Sequence, residues 1–231
     1  MTERARIDIT PSEQVTAIVY PAEAGKHVGV RLILAHGAGA GQASSFMVRF
    51  AGALAARGID TVTFNFLYTE QGRRVPDRND KLEACYRKVI EAVQGGVLGG
   101  KPGKLVIGGK SMGGRIASQV AAAGGGGIDG LVLLGYPLHP PGQPEKLRTR
   151  HLPGITAPML FIQGSRDTFG TPEELRPHVG QLNAPAELFV VEGGDHSFKV
   201  PKSAGVKQQA VHRAIQDRIE TWLRMLVGSP G

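Results

Sequence analysis

Across 231 residues the chain contains one cysteine, one tryptophan and four tyrosines. A lone Cys85 permits no internal disulfide, so a hydrophobic core and not cross-links must hold the fold. No stretch approaches the roughly 18 consecutive apolar residues of a membrane helix, the apolar pieces being short ones such as LVLLGY at 131–136. The opening MTERARIDIT carries charge but no apolar signal-peptide segment, so a cytoplasmic, non-membrane setting is expected. Linkers, repeats and composition shifts are also missing, which predicts one domain over 1–231 with its core at about 15–227. Acids are outnumbered, 20 against 27 Lys and Arg, for a net charge of +7. The basic residues are nevertheless dispersed and stacking aromatics are few, which argues against a nucleic-acid partner. One local excess stands out: residues 92–128 hold Lys101, Lys104, Lys110 and Arg115 and no acid.

What the chain does have is 41% hydrophobic residues and 33 glycines, the latter about twice the usual share. Short β-branched apolar runs alternate with helical patterns, the signature of βαβ units around a mostly parallel sheet. Strands are predicted near 15–20, 30–35, 60–66, 104–108, 130–135, 158–163 and 187–191. Phe46, Phe50 and Leu54 mark one apolar helix face near 44–57, and Leu82, Cys85 or Tyr86, Val89 and Val93 mark another near 79–94. Thr171-Pro172-Glu173-Glu174 reads as a capping box opening a helix that presents Leu175, Val179 and Leu182. A C-terminal helix carries Val211, Ile215, Ile219, Trp222 and Leu226 on one stripe and ends at GSPG, so Trp222 is expected in the core. Residues 124–127, GGGG, read as a helix-to-strand turn. The segment 137–158 holds six of the fifteen prolines, which leaves no room for a substantial helical lid.

The most informative stretch is KLVIGGKSMGGRIASQVAAA at 104–123. A strand runs into Gly109-Lys110-Ser111-Met112-Gly113 and a small-residue helix follows, the context a G-x-S-x-G nucleophile elbow requires. Glycines flank the serine because the turn is strained and the helix packs close to the strand. GKS is not a phosphate loop, since that motif needs glycine at the position of Lys104.

A serine hydroxyl needs a base, and the base needs an acid to fix its tautomer. PMLFIQGSRDTFG at 158–170 places Asp167 just past one strand, and AELFVVEGGDHSF at 186–198 places His196 just past another. Both fall at carboxyl ends of strands, where open α/β sheets keep their sites. Asp195 is a weaker acid candidate because it adjoins His196, and Asp129 because it precedes its strand. HGAGAG at 36–41 follows a further strand; Gln42 breaks a dinucleotide fingerprint, and the better match is a loop donating a backbone N–H to an oxyanion. Ala38 and Met112 are the expected donors, with His36 tying the loop.

HGAGAG, GGKSMGG, QGSRD and GGDHSF, in this order, resemble the α/β-hydrolase superfamily. The wording around GYPLHPPGQPEKLRTRHL is similar to a small dienelactone-hydrolase-like group that includes relatives of a testis-expressed vertebrate protein and chromatin-assembly subunits. The resemblance implies a single-domain α/β-hydrolase fold without a cap, with Ser111, Asp167 and His196 as triad, and a serine hydrolase of carboxylic esters or thioesters working through an acyl-enzyme without metal or cofactor. Ser111 replaces the cysteine nucleophile of true dienelactone hydrolases, so lactone specificity does not carry over. Because some relatives are scaffolds, a binding protein on a hydrolase fold is the rival reading. His36, Gly37, Lys110, His139 and Arg148 are expected to line the pocket, and Lys110, Lys146, Arg148 and Arg150 to favour an anionic substrate group.

Overall fold

Strands buried on both faces read as unbroken apolar runs, and VRLILA, GLVLL and MLFIQG are of this kind. In the computed structural model, which describes residues 2–96, 99–124 and 126–228, they form the centre of one sheet. The elements in chain order are β1 (Glu3–Thr10), β2 (Glu13–Tyr20), β3 (Val30–Ala35), α1 (Ser45–Ala55), β4 (Asp60–Phe64), α2 (Leu67–Glu70), α3 (Asn79–Gln94), β5 (Lys104–Lys110), α4 (Met112–Ala122), β6 (Gly130–Leu134), β7 (Met159–Gly164), α5 (Pro172–Val179), β8 (Ala186–Val191) and α6 (Gln208–Gly228). The eight strands lie in the order β1-β2-β4-β3-β5-β6-β7-β8. The β1–β2 and β2–β4 pairs are antiparallel, and every pair from β4 to β8 in this order is parallel.

Side chains alternate across each strand, so the sheet feeds two cores. Ile33, Phe64, Ile107, Leu133 and Phe161 pack with residues of α3, α4 and α5 on one face. Leu32, Leu34, Val106, Val132 and Ile162 pack with α1 and α6 on the other. The predicted helix faces are the buried ones: Phe50 and Leu54 of α1, Leu82, Tyr86 and Val89 of α3, and Ile215, Ile219 and Trp222 of α6 all turn inward. Full burial of one such leucine or phenylalanine is worth about 1.5–3 kcal/mol. Gly130 explains how Trp222 reaches the sheet, because a Cβ there would sit 2.8 Å from the indole edge.

Three expectations shift. β1 was not predicted: ERARIDIT buries only Ile7 and Ile9 and leaves its other face wet, so its charges masked a strand. The capping box at Thr171 and Glu174 forms, but α5 stops at Val179, ahead of Leu182, with Pro177 inside it and Gly180 at its end. Gly125 of the glycine run and the last three residues of GSPG lie outside the described residues. Within 137–158 the only helical turn is a 3₁₀ turn at Leu152–Gly154, so this segment forms no helical cap over the carboxyl edge of the sheet.

Candidate active site

β5 passes into α4 through a single residue, Ser111, whose φ of 52° and ψ of −117° lie where a side chain is strained. Close packing enforces the turn. A Cβ on Gly109 would come within 2.5 Å of the Ala35 carbonyl oxygen, and one on Gly113 within 2.4 Å of the same atom. No residue but glycine lets α4 start this close to the end of β3. The Ser111 N–H donates to the Leu134 carbonyl at 2.9 Å, which ties the elbow to the next strand.

Asp167 follows β7 and is 1% exposed. Its Oδ1 accepts from the Phe169 N–H at 2.8 Å and its Oδ2 from Gln163 Nε2 at 3.0 Å. His196 follows β8, with Nδ1 2.7 Å from Oδ2 and 2.9 Å from Oδ1 of Asp167, and Nε2 2.8 Å from Ser111 Oγ. An ionised carboxylate can only accept, so Nδ1 carries the hydrogen and Nε2 is left to accept from the serine hydroxyl. The Phe169 ring lies 4.2 Å from the imidazole and shields one face of it. Asp195, the weaker acid candidate, instead closes the loop: its Oδ1 accepts from Ser197 N–H at 2.8 Å and Lys199 N–H at 2.9 Å. Asp129 sits at the opposite edge, accepting from Leu105 N–H at 2.7 Å.

Gln163 was missed in the sequence and is fully buried. Its Oε1 accepts from Tyr136 N–H at 2.8 Å, while Nε2 donates to Gly170 O at 2.7 Å, to Asp167 Oδ2 and to Tyr136 O at 3.2 Å. One amide thus links the β6 end, the β7 end and the carboxylate. The signal was present as a polar residue one position before the end of an otherwise apolar strand.

The HGAGAG loop packs on the elbow, a Cβ on Gly37 falling 3.6 Å from Ser111 Cβ. Among the described residues, neither the Ala38 nor the Met112 N–H has a partner within the chain, and both residues border the cavity that holds Ser111. His36 is a correction: it does not line that cavity but lies fully buried beneath the loop. Its Nε2 accepts from Phe66 N–H at 3.2 Å, so Nδ1 donates to Gly37 O at 2.9 Å. Burial lowers its pKa and keeps it neutral.

The cavity measures about 700 Å³ and is walled by Gly37, Ala38, Lys110, Arg115, Arg148 and Phe169, among others. Gly37, Lys110 and Arg148 are among the residues of this wall. His139 does not: it is 5% exposed, Nδ1 sits 2.8 Å from Pro140 O and Nε2 3.4 Å from Glu174. Lys146 and Arg150 are exposed and lie off the wall. Arg115 and His212, which no motif marked, are on it. Lys110 turns behind the histidine loop, its Nζ donating to His196 O at 2.5 Å and standing 5.3 Å from the Phe198 ring centre. Burial pulls its pKa down to about 8, against the opposing fields of Asp167 and Asp195. Among the described residues, no group of three or more His, Cys, Asp or Glu side chains is arranged to hold a metal ion, and no helix is long and apolar enough to cross a membrane.

The sequence profile of the alpha/beta hydrolase domain matches residues 28–224. The chain belongs to the alpha/beta hydrolase family. Solved structures repeat the fold of this alpha/beta hydrolase over nearly its whole length. A serine hydrolase homologue from Coxiella burnetii is 20% identical with a TM-score of 0.72, covering 97% of this chain and 95% of its own. A serine hydrolase without lid from Xanthomonas campestris is 22% identical with a TM-score of 0.73, covering 96% and 94%. A dienelactone hydrolase from Anabaena variabilis is 17% identical with a TM-score of 0.72, covering 94% and 95%. At such identities the likeness concerns the fold.

Proposed function

We propose that this alpha/beta hydrolase is a serine hydrolase of carboxylic esters or thioesters, with Ser111 as nucleophile, His196 as general base and Asp167 as the group that orients and stabilises the imidazole. The observation that carries the reading is the unbroken relay from Ser111 Oγ through His196 to the buried Asp167 carboxylate, at 2.8 Å and 2.7 Å. As Oγ attacks the acyl carbon, its proton passes to His196 Nε2, and the imidazolium is held by the carboxylate. The oxyanion that forms accepts from the two unpartnered N–H groups of Ala38 and Met112, fixed in place before reaction. Collapse of the tetrahedral species returns the proton from Nε2 to the leaving alcohol or thiol and leaves an acyl-serine. Water then repeats the sequence with His196 again as base, releasing the acid. The strained backbone at Ser111 supports the same role, since strain persists where the surroundings over-determine it. No step draws on a cofactor.

The test is covalent labelling by a fluorophosphonate, beside turnover of 4-nitrophenyl esters and acyl thioesters. Ser111→Ala and His196→Ala are each expected to abolish labelling and to lower kcat by about 10⁶, and Asp167→Asn by about 10⁴. A folded wild type that takes no label and turns over no ester overturns the assignment and leaves a binding role for the fold; a Ser111→Ala protein that still turns over every ester accepted overturns Ser111 as the nucleophile.

A further inference from the structure

Besides Lys110, whose amine turns behind the His196 loop, four basic residues border the cavity beside Ser111, namely Arg49, Arg115, Arg148 and Lys199, against one acidic residue, Asp77. That carboxylate is already engaged, its Oδ1 lying 2.7 Å from the Arg73 guanidinium. Two of the cations are fixed in ways that leave their charge unanswered. Arg115 sits one helical turn beyond Ser111, whose carbonyl accepts its N–H at 3.0 Å. Its guanidinium is steadied by neutral oxygens alone, Gln119 Oε1 and Asn79 Oδ1, each at 3.2 Å. Arg148 is anchored through its backbone, by Leu138 O at 2.8 Å and Tyr136 Oη at 2.6 Å. Its own Nη1 reaches only Pro137 O, at 3.4 Å.

Among the described residues neither guanidinium has a carboxylate within ion-pairing distance. Both are partly withdrawn from water. Burial first, and then the Arg148 charge, lower the Arg115 pKa, against the smaller opposing influence of Tyr136 and Glu83. Two partly desolvated like charges with no carboxylate in contact are unfavourable, and an anion bound at this wall relieves that repulsion through charge-assisted hydrogen bonds. Guanidinium forks present paired N–H groups that match the two oxygens of a carboxylate.

We propose that Arg115 and Arg148 form a carboxylate-binding subsite, which makes the preferred substrates esters or thioesters that bear a second, free carboxylate. This rests on the serine-hydrolase reading of the same cavity and narrows it to a substrate class. The subsite sets orientation: with the carboxylate held over the first turn of α4, the reacting carbonyl is directed back to Ser111 and the two backbone donors.

The experiment compares kcat/KM for carboxylate-bearing and neutral esters. Mono-4-nitrophenyl glutarate against 4-nitrophenyl butyrate places the charge on the acyl side, and 4-acetoxybenzoate against phenyl acetate places it on the leaving side. At least one pair is expected to favour the anion by about tenfold or more, and Arg115→Met and Arg148→Met are each expected to cut that preference about tenfold. Arg150→Met, an exposed cation on the same segment, should keep it. Arg148→Met decides the matter if Arg115→Met fails to fold, since the Arg148 side chain makes a single long hydrogen bond to the protein, to Pro137 O.

Absence of any preference in both pairs, survival of the preference in the folded variants, or equal loss in Arg150→Met each overturns the subsite. A binding arm separates this from the catalytic proposal: calorimetric titration with glutarate and with benzoate needs no turnover. If Ser111 takes no fluorophosphonate yet one of these anions binds and Arg148→Met weakens it about tenfold, the subsite stands and the hydrolase reading falls. If Ser111 is labelled and neither anion nor carboxylate ester is favoured, the subsite falls and the hydrolase reading stands.

Discussion

Ser111→Gly and Ser111→Ala form a pair whose difference isolates the strain held in the elbow. Both remove the hydroxyl and its 2.8 Å bond to His196, so that loss cancels between them. What differs is the backbone. At φ 52° and ψ −117°, a residue with a Cβ holds about 1–3 kcal/mol of strain that glycine does not. Glycine gives back about 0.4–1 kcal/mol through the greater freedom of its unfolded chain. The glycine variant should therefore be the more stable of the two by about 1 kcal/mol, and by no more than about 2.5 kcal/mol. Urea unfolding followed by Trp222 fluorescence provides the assay, because that indole lies buried against β6 and becomes exposed on unfolding. With a slope of about 3 kcal/mol/M for a chain of this size, the midpoints should differ by roughly 0.3–0.8 M. An alanine variant as stable as the glycine variant, or more so, would show that the elbow is unstrained and that its geometry is no mark of function.

Gln163→Leu should destabilise the protein by about 3 kcal/mol or more, because it orphans buried groups on Tyr136, Gly170 and Asp167. It should also slow fluorophosphonate labelling at least tenfold in the protein that remains folded; unchanged labelling kinetics would deny Gln163 a part in placing the carboxylate. Gly130→Ala should cost about 1–3 kcal/mol and shift Trp222 emission, since the new methyl meets the indole at 2.8 Å; a silent substitution would mean that α6 yields freely. Lys110 gives a pH test. Burial holds its pKa near 8, below the value of about 10.4 in an unfolded chain, so between those pH values the unfolded chain binds more protons and stability rises with pH. Wild type minus Lys110→Met, measured by urea unfolding at pH 7, 8, 9 and 10, should therefore climb across this window by at most about 3 kcal/mol; a flat or falling difference rejects the burial argument.

The central strands and four of the helices were legible because burial on two faces, or on one helical stripe, writes a periodicity that nothing else imitates. Ser111, Asp167 and His196 were legible for a different reason: each follows the carboxyl end of a strand with small residues around it, and the structure brings the three side chains within hydrogen-bond reach of one another. β1 escaped because an edge strand with one wet face looks like a charged terminus. His36 and His139 were placed on the wall by their nearness in sequence to site loops, yet sequence distance says nothing of which way a ring turns, and both turned inward to satisfy backbone groups. Gln163 and Arg115 show the converse. Gln163 bonds Tyr136 and Arg115 bonds Asn79, each on another segment of the chain, and only packing discloses such pairs.

The sheet order has one more consequence. Ser111 hangs from a strand flanked on both sides, whereas His196 hangs from β8, an edge strand, which among the described residues pairs only with β7 and is half-exposed along most of its length. Its outer support is the clasp between Arg218 of α6 and Glu187. Opening free energies are lowest at such margins. Warming should therefore detach the proposed base while the elbow and the central strands stay folded. The working lifetime of the protein is then set at its rim: activity fades before the spectroscopic melting transition and returns on cooling, as long as only the margin has come loose.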